Sequence, residues 1–353
     1  MKERILISIN LVVLLVFLGF SYVAFTIATK KDAPKVIQQT IIESVTVNDT
    51  LTISAVGDCT LGSDPRYLVH DSFIKLTERN NHDYGMYFRG VQSVFAKDDL
   101  TIANLENTFT DATERANKTF TFKAPPSYGQ ILSLGSVEVV NLANNHTYDF
   151  LEQGYKDTLK TLDDLGISYF GEDIIKIMEV KGVKIGMIGY YSLYNKNIKE
   201  DLDKGLTALK KSNVDLILVT FHWGIETHYR PQESQRELAK YAIDNGADLI
   251  IGHHPHRVQG LETYKGKHIV YSLGNFSFGG HVNPKDKDSF IVQMVYKLKN
   301  SKIEDAQIKI IPVSISSKKN VNDFQPQILE GKEKDRVLKK ILDLSYNFEY
   351  QDE

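Results

Sequence analysis

Short apolar runs with strand composition recur along this chain, and each ends abruptly in a polar side chain. LTISAV (51–56) leads into GDCTLG, LTIANL (100–105) into Glu106, and VEVVNL (137–142) into ANNH. DLILVTF (215–221) leads into His222, and ADLIIG (247–252) into HHPH. Between these runs lie amphipathic helix patterns. LEQGYKDTLKTLDDLG (151–166) spaces Leu151, Tyr155, Leu159, Leu162 and Leu165 helically and stops at Gly166, and QESQRELAKYAIDNG (232–246) closes on Gly246. Strands alternating with helices bury both faces of a sheet, so the chain is expected to be an α/β protein. ISYFG begins a further strand, and KIMEV and VKIGMIGY read as strands around the Lys181-Gly182 turn. HIVYSLGNFSFG (268–279) starts as a strand and becomes a Gly-rich loop. The later runs SFIVQMVYKL (289–298) and IKIIPVSIS (308–316) make the expected sheet arrangement mixed rather than purely parallel.

The N-terminus has a different character. After MKER, residues 5–29 carry no charge. A helix of that length spans roughly 37 Å at about 1.5 Å per residue, enough for a hydrocarbon core of about 30 Å. A cleaved signal has a shorter apolar region ending in a small-x-small site, which Ala24 and Ala28 match only weakly. The expectation is one N-terminal transmembrane helix (1–29), a juxtamembrane linker (30–50), a main domain (51–330) and a C-terminal helix or tail (331–353). Lys2 and Arg4 precede the span while Lys30, Lys31 and Lys35 come after it, so charge does not set its direction. A chain that starts like a secretory signal is nonetheless expected to export its C-terminal portion. That places the large domain outside the cytoplasm.

Bulk composition excludes several functions. With 42 basic and 45 acidic side chains among 353 residues and no basic stripe, the chain does not read as a nucleic-acid binder. Its one cysteine, Cys59, rules out an internal disulfide framework.

The polar residues that end the apolar runs form the functional signal. Asp58, Glu106, Asn145, His146, His222, His254 and His256 each lie just past a strand-like run. In open α/β sheets ligands bind beyond the carboxyl ends of strands, so distant segments can deliver these groups to one rim. Singly, each has an ordinary explanation: Asp58 a turn or cap, Asn144 and Asn145 turn residues, His222 a satisfied core imidazole, HHPH a rigid loop. As a set they point to a divalent-metal site. Carboxylate, amide and imidazole donors without thiolates suit Mn, Fe or Zn. His254 and His256 flank Pro255 and can serve separate ions, with Glu106 as the bridging carboxylate. Two ions about 3.5–4 Å apart can activate water and hold both oxygens of a displacement.

GDCTLG, NLENTFT, NLANNHTYDF, FHWGIE, IIGHHPHRVQG and YSLGNFSFG together carry a resemblance over about residues 50–280. The chain resembles the CapA-type poly-gamma-glutamate capsule synthesis family, within the calcineurin-like metallophosphatase superfamily. That resemblance implies a four-layer α/β/β/α sandwich with two divalent ions. It assigns Asp58, Glu106, Asn145, His222, His254 and His256 as ligands, and His146 as the residue that stabilises developing charge or protonates a leaving group. Asp149, three residues after His146, is a candidate to orient that imidazole, or else a helix cap. Thr60, Asn144, His253 and Asn275 are candidates to bind substrate or shape the pocket, and Glu226 and Arg230 to contact substrate or simply occupy a loop. Two departures stand out: Thr60 occupies the position of a second ligand after the first aspartate, and Glu106 replaces the usual bridging aspartate.

The implied role is support of poly-gamma-glutamate or related cell-surface polymer synthesis or export at the bacterial membrane. Partners would be membrane-embedded synthase or export subunits, and the substrate an anionic polymer or a phosphoester. A noncatalytic assembly or polymer-binding subunit and a cell-envelope metallophosphoesterase stay open beside a hydrolase.

Overall fold

The computed structural model describes residues 34–40 and 48–350. The expected membrane anchor lies outside them. Among the described residues no helix is long and apolar enough to cross a membrane.

The described chain opens with strands β1 (Lys35–Thr40) and β2 (Asn48–Thr60), then helices α1 (Phe73–Arg79) and α2 (Gln92–Phe95). Strands β3 (Leu100–Leu105), β4 (Thr108–Phe109) and β5 (Lys123–Ala124) precede helix α3 (Gln130–Leu134) and strand β6 (Val139–Asn141). Helix α4 (Leu151–Asp164) leads to β7 (Ser168–Phe170), β8 (Ile174–Val180) and β9 (Val183–Tyr191). Helix α5 (Ile198–Lys211), β10 (Leu216–His222), helix α6 (Glu233–Asp244) and β11 (Leu249–His253) come next. The chain continues through β12 (Val258–Tyr264), β13 (Lys267–Leu273), β14 (Asn275–Phe278), β15 (Asp288–Lys299) and β16 (Lys302–Ser314). Strand β17 (Gln327–Ile328) and helix α7 (Gly331–Asp343) complete it.

These strands form a seven-stranded sheet, β1-β8-β9-β10-β11-β13-β12, an eight-stranded sheet, β17-β16-β15-β2-β3-β6-β7 with β14 also on β2, and a two-stranded pair, β4-β5. The two larger sheets are mixed. Strands β9, β10, β11 and β13 run parallel in the first, and β14, β2, β3, β6 and β7 run parallel in the second.

Neighbouring apolar residues on a strand point to opposite faces, and here both faces are covered. Met187, Leu218 and Ile251 face Ile53, Ala55 and Ile102 across a core between the sheets. Their chain neighbours Ile188, Val219 and Ile250 pack outward on Leu202, Leu209 and Ala239 of α5 and α6. Val56, Leu105 and Val140 pack outward on Leu132 and Leu162 of α3 and α4. The layering is helix, sheet, sheet, helix. Continuous burial explains why these strands read as unbroken apolar runs.

Three boundaries are corrected. Residues 30–50 were expected to be a linker, yet Lys35–Thr40 is an edge strand beside β8, and Asn48–Thr50 already belongs to β2. Gln39 Oε1 accepts from Ser168 Oγ at 2.7 Å and from Nζ of the buried Lys176 at 2.9 Å, giving that amine a partner. The C-terminal segment is not an appendage, because Val337 and Ile341 of α7 are fully buried in the core between the sheets. Its helix, expected within residues 331–353, ends at Asp343. The chain turns back beyond α7, and Tyr346 N donates to Leu261 O at 2.7 Å. Helix α5 is an element that the apolar runs and helix patterns of the sequence did not predict.

Candidate metal centre

The carboxyl ends of the parallel strands of both sheets meet at one edge of the sandwich. Asp58 lies near the end of β2, Glu106 directly follows β3, and Asn144, Asn145 and His146 follow β6. His222 and His253 end β10 and β11, and His254 and His256 come next. Gly57 lets the sheet close there. A Cβ at this position would lie 2.1 Å from Gly274 O, where Asp58 N instead donates to that oxygen at 2.9 Å.

Asp58, Glu106, His222, His253 and His254 are all buried. Glu106 Oε1 is 3.5 Å from His222 Nε2 and 3.9 Å from His256 Nε2. His222 Nε2 is 3.1 Å from His254 Nδ1, and His256 Nδ1 is 3.1 Å from Asp58 Oδ2. Two donor groups result. Glu106, His222 and His254 each offer an atom within 4.8 Å of the others, as do Asp58, Glu106 and His256.

The remaining expected residues fall around these groups. Asn275 Oδ1 is 2.9 Å from His256 Nδ1 and holds that ring in place, while His253 Nδ1 lies 3.2 Å from Asp58 Oδ1 without hydrogen-bond geometry. Asn144 shapes the loop: its Oδ1 accepts from His146 N at 2.9 Å and its Nδ2 donates to Leu105 O at 2.8 Å. Thr60 is buried with its hydroxyl unpartnered. His146 Nδ1 lies 2.6 Å from Asp149 Oδ2, and the Phe122 ring sits 4.5 Å from the imidazole. Asp149 does not cap α4, whose preceding residue is Phe150 and makes no side-chain cap bond.

Sequence reasoning missed two supporting residues. Asn104 Nδ2 donates to Asp58 Oδ1 at 2.9 Å, and Asn104 Oδ1 accepts from Asn141 Nδ2 at 2.9 Å and Asn144 Nδ2 at 3.4 Å. Its signal was present, since a polar residue in an apolar strand two positions before Glu106 shares that residue's side of the sheet. Lys118 Nζ donates to Asp149 Oδ1 at 2.7 Å and to Asn145 O. No periodicity marks this loop lysine.

Burial dominates the electrostatics. It pushes the Glu106 carboxyl well above its ordinary value, and the Asp58 charge adds to the push. Burial alone would raise Asp58 too, but His253 and His256 outweigh it and hold that carboxyl well below the usual range. His222 is held well below its ordinary value by burial and then by His254. His254 is pushed down to about 4 by burial and by His256. For His256 burial opposes protonation, yet Glu106 and Asp58 raise it to about 9. His146 is lowered by burial, against the pull of Asp149. The downward shifts favour the neutral imidazole, with a lone pair to give, at His222 and His254.

Whether a cation suits the site turns on its orphaned atoms. Both oxygens of Glu106, Asn145 Oδ1 and Thr60 Oγ1 are buried without a hydrogen-bond partner. Buried polar groups are otherwise nearly always paired, and an unpaired buried carboxylate is costly. The open Glu106 carboxylate beside the His222, His254 and His256 imidazoles fits a divalent ion of the Mn, Fe or Zn kind.

Fold and site together define an α/β protein with a carboxylate–imidazole centre at the meeting edge of two sheets. The chain belongs to the family described as bacterial capsule synthesis protein PGA_cap, whose model matches residues 52–280. It is 32% identical to the PGA biosynthesis protein CapA of Bacillus subtilis (strain 168) over 336 residues, covering 89% of this chain and 81% of that protein. It is 29% identical to the capsule biosynthesis protein CapA of Bacillus anthracis over 322 residues, covering 83% and 73% of the two chains. Among solved structures, a 5'-nucleotidase from Candida albicans SC5314 aligns with a TM-score of 0.40 at 13% identity, covering 86% of this chain and 59% of that one.

Proposed function

We propose that this protein supports the synthesis or export of poly-gamma-glutamate or a related cell-surface polymer through a divalent-metal hydrolytic centre. The observation that carries the chemical part is Glu106: a buried, unpartnered carboxylate shared by two groups of donors. Asp58, Glu106 and His256 would hold one ion, and Glu106, Asn145, His222 and His254 the other. Such ions supply Lewis acidity and lower the pKa of water. The chain's own residues do the rest. Asp149 fixes the His146 ring through Nδ1, which leaves Nε2 as the atom that gives or takes a proton at the leaving group. Lys118 holds the other Asp149 oxygen, so the carboxylate keeps its orientation.

The cellular part rests on the family and on the uncharged stretch at residues 5–29. In this reading the domain is tethered outside the cytoplasmic membrane beside membrane-embedded synthase or export subunits. A test is complementation of a capsule-deficient strain with His146→Ala at unchanged protein level. Loss of polymer with the variant still in the membrane fraction is the expected result. Full polymer production would leave assembly or polymer binding, rather than bond cleavage, as the role of this centre.

A further inference from the structure

The two donor groups around Glu106 are unequally furnished. One can draw on Asn145, His222 and His254, while the other has Asp58 and His256, with only the Thr60 hydroxyl further along β2. A further carboxylate stands on the exposed side of the centre, beside His256 of the poorer group and His254 of the richer. Glu226, His254 and His256 each present a ligand atom within 4.8 Å of the others.

Its position is built by backbone rather than chance. Gly224 turns the loop after β10 at φ +79°, a conformation that an added Cβ would also block by meeting the Gln235 side chain at 2.6 Å. On either side of Glu226, Trp223 N donates to His253 O at 3.1 Å and Thr227 N to Pro255 O at 2.7 Å. The opposing loop is itself held in left-handed geometry, with φ +97° at His254 and +53° at His256, the kind of backbone strain that clusters at functional sites. The Glu226 carboxylate makes no ion pair or hydrogen bond among the described residues. It is exposed and available.

We propose that Glu226 is a ligand of the ion held by Asp58, Glu106 and His256, closing that set on its exposed side. This rests on the metal-centre reading above. It replaces the donor that Thr60 does not provide with a carboxylate from a different strand end. An oxygen donor beside imidazole favours the same borderline or hard divalent ions as the rest of the centre.

Manganese binding to the metal-free protein tests it. Binding isotherms and the Mn(II) electron paramagnetic resonance spectrum would be compared for the parent, Glu226→Gln and Glu106→Ala. The expected result is two ions in the parent, one of them weakened about tenfold or more by Glu226→Gln, and both weakened by Glu106→Ala. Because Glu226 is exposed, the metal-free melting temperature of Glu226→Gln should match the parent's. A parent with two ions and an unchanged isotherm for Glu226→Gln overturns the assignment and leaves the centre standing. A parent that binds fewer than two ions overturns the two-ion reading and this assignment with it.

Discussion

Glu106 is wholly buried, its Oε1 faces the His222 and His256 imidazoles, and neither of its oxygens has a hydrogen-bond partner. In the metal-free fold its carboxyl sits well above the ordinary value because burial and Asp58 disfavour the charge. The resulting cost to stability is absent below the unfolded pKa and complete once pH exceeds the folded one. Metal-free Glu106→Gln is therefore expected to melt no lower than the parent at pH 8. With manganese the order should reverse: at a free concentration 100 times Kd, one site stabilises by about 2.7 kcal/mol, and the variant should lose most of that gain. Melting curves with and without manganese read both effects, and an undiminished gain in Glu106→Gln would remove Glu106 from the centre. The ligand candidates were legible because each ends an apolar run. Asn104 left a weaker mark, a polar residue inside such a run two positions before Glu106, and Lys118 left none, because a loop lysine gains its meaning only from the fold that brings it to Asp149.

At the level of elements, long buried strands were legible and edges were not. LTIANL reads as the strand it forms because both its faces are covered, leaving no polar alternation to confuse it with anything else. Strand β1 is an edge of largely exposed residues, and its side-chain anchor, Gln39 on Ser168 and Lys176, is invisible without coordinates. Helix α5 was within reach: Ile198, Leu202, Leu206 and Leu209 keep helical spacing, with Glu200 and Asp201 in its first turn and Lys210 and Lys211 in its last. Its apolar face is narrow and interrupted by Gly205, and charged residues outnumber apolar ones along it. Two predictions belong here. Gly57→Ala would drive a Cβ into Gly274 O and unpair β14 from β2, so loss of about 2 kcal/mol or more, seen as insolubility or a large drop in melting temperature, is expected. The second concerns the opposite ends of β3 and β6. There Glu138 accepts from Thr101 N at 2.8 Å and is pushed up to about 7 by burial, with the nearby Asp98 adding to it. Its folded value exceeds the ordinary glutamate value of 4.5, so its ionisation costs stability fully above about pH 7 and not at all below pH 4.5. Glu138→Gln should thus stabilise by on the order of 1 kcal/mol at pH 8, with the gain vanishing as pH falls toward 4.5. A gain independent of pH would show that something other than this ionisation is involved.

The whole molecule is organised so that neither sheet owns the centre. Asp58, Glu106 and Asn145 come from the eight-stranded sheet, and His222, His254 and His256 from the seven-stranded one. The two halves are kept in register without an ion by the apolar core between them, including Val337 and Ile341 of α7. That helix is also strapped to β15, where Arg336 donates to both oxygens of Asp288 at 2.7 and 2.9 Å. Arg336 is half exposed, so the strap adds little to stability compared with the apolar contacts beneath it. Ile341→Ala should accordingly cost about 2–5 kcal/mol, and Arg336→Ala far less. An ion at the shared edge would cross-link the sheets, and binding free energy at such a place becomes folding free energy. Manganese is therefore expected to raise the temperature of a single cooperative transition instead of creating a second one. It should also slow amide exchange together at the carboxyl ends of β2, β3, β10 and β11. Hydrogen exchange by mass spectrometry on the metal-free and manganese-loaded protein would read this directly. Protection confined to the strand ends of one sheet would mean that the imidazoles of the other do not share the ion.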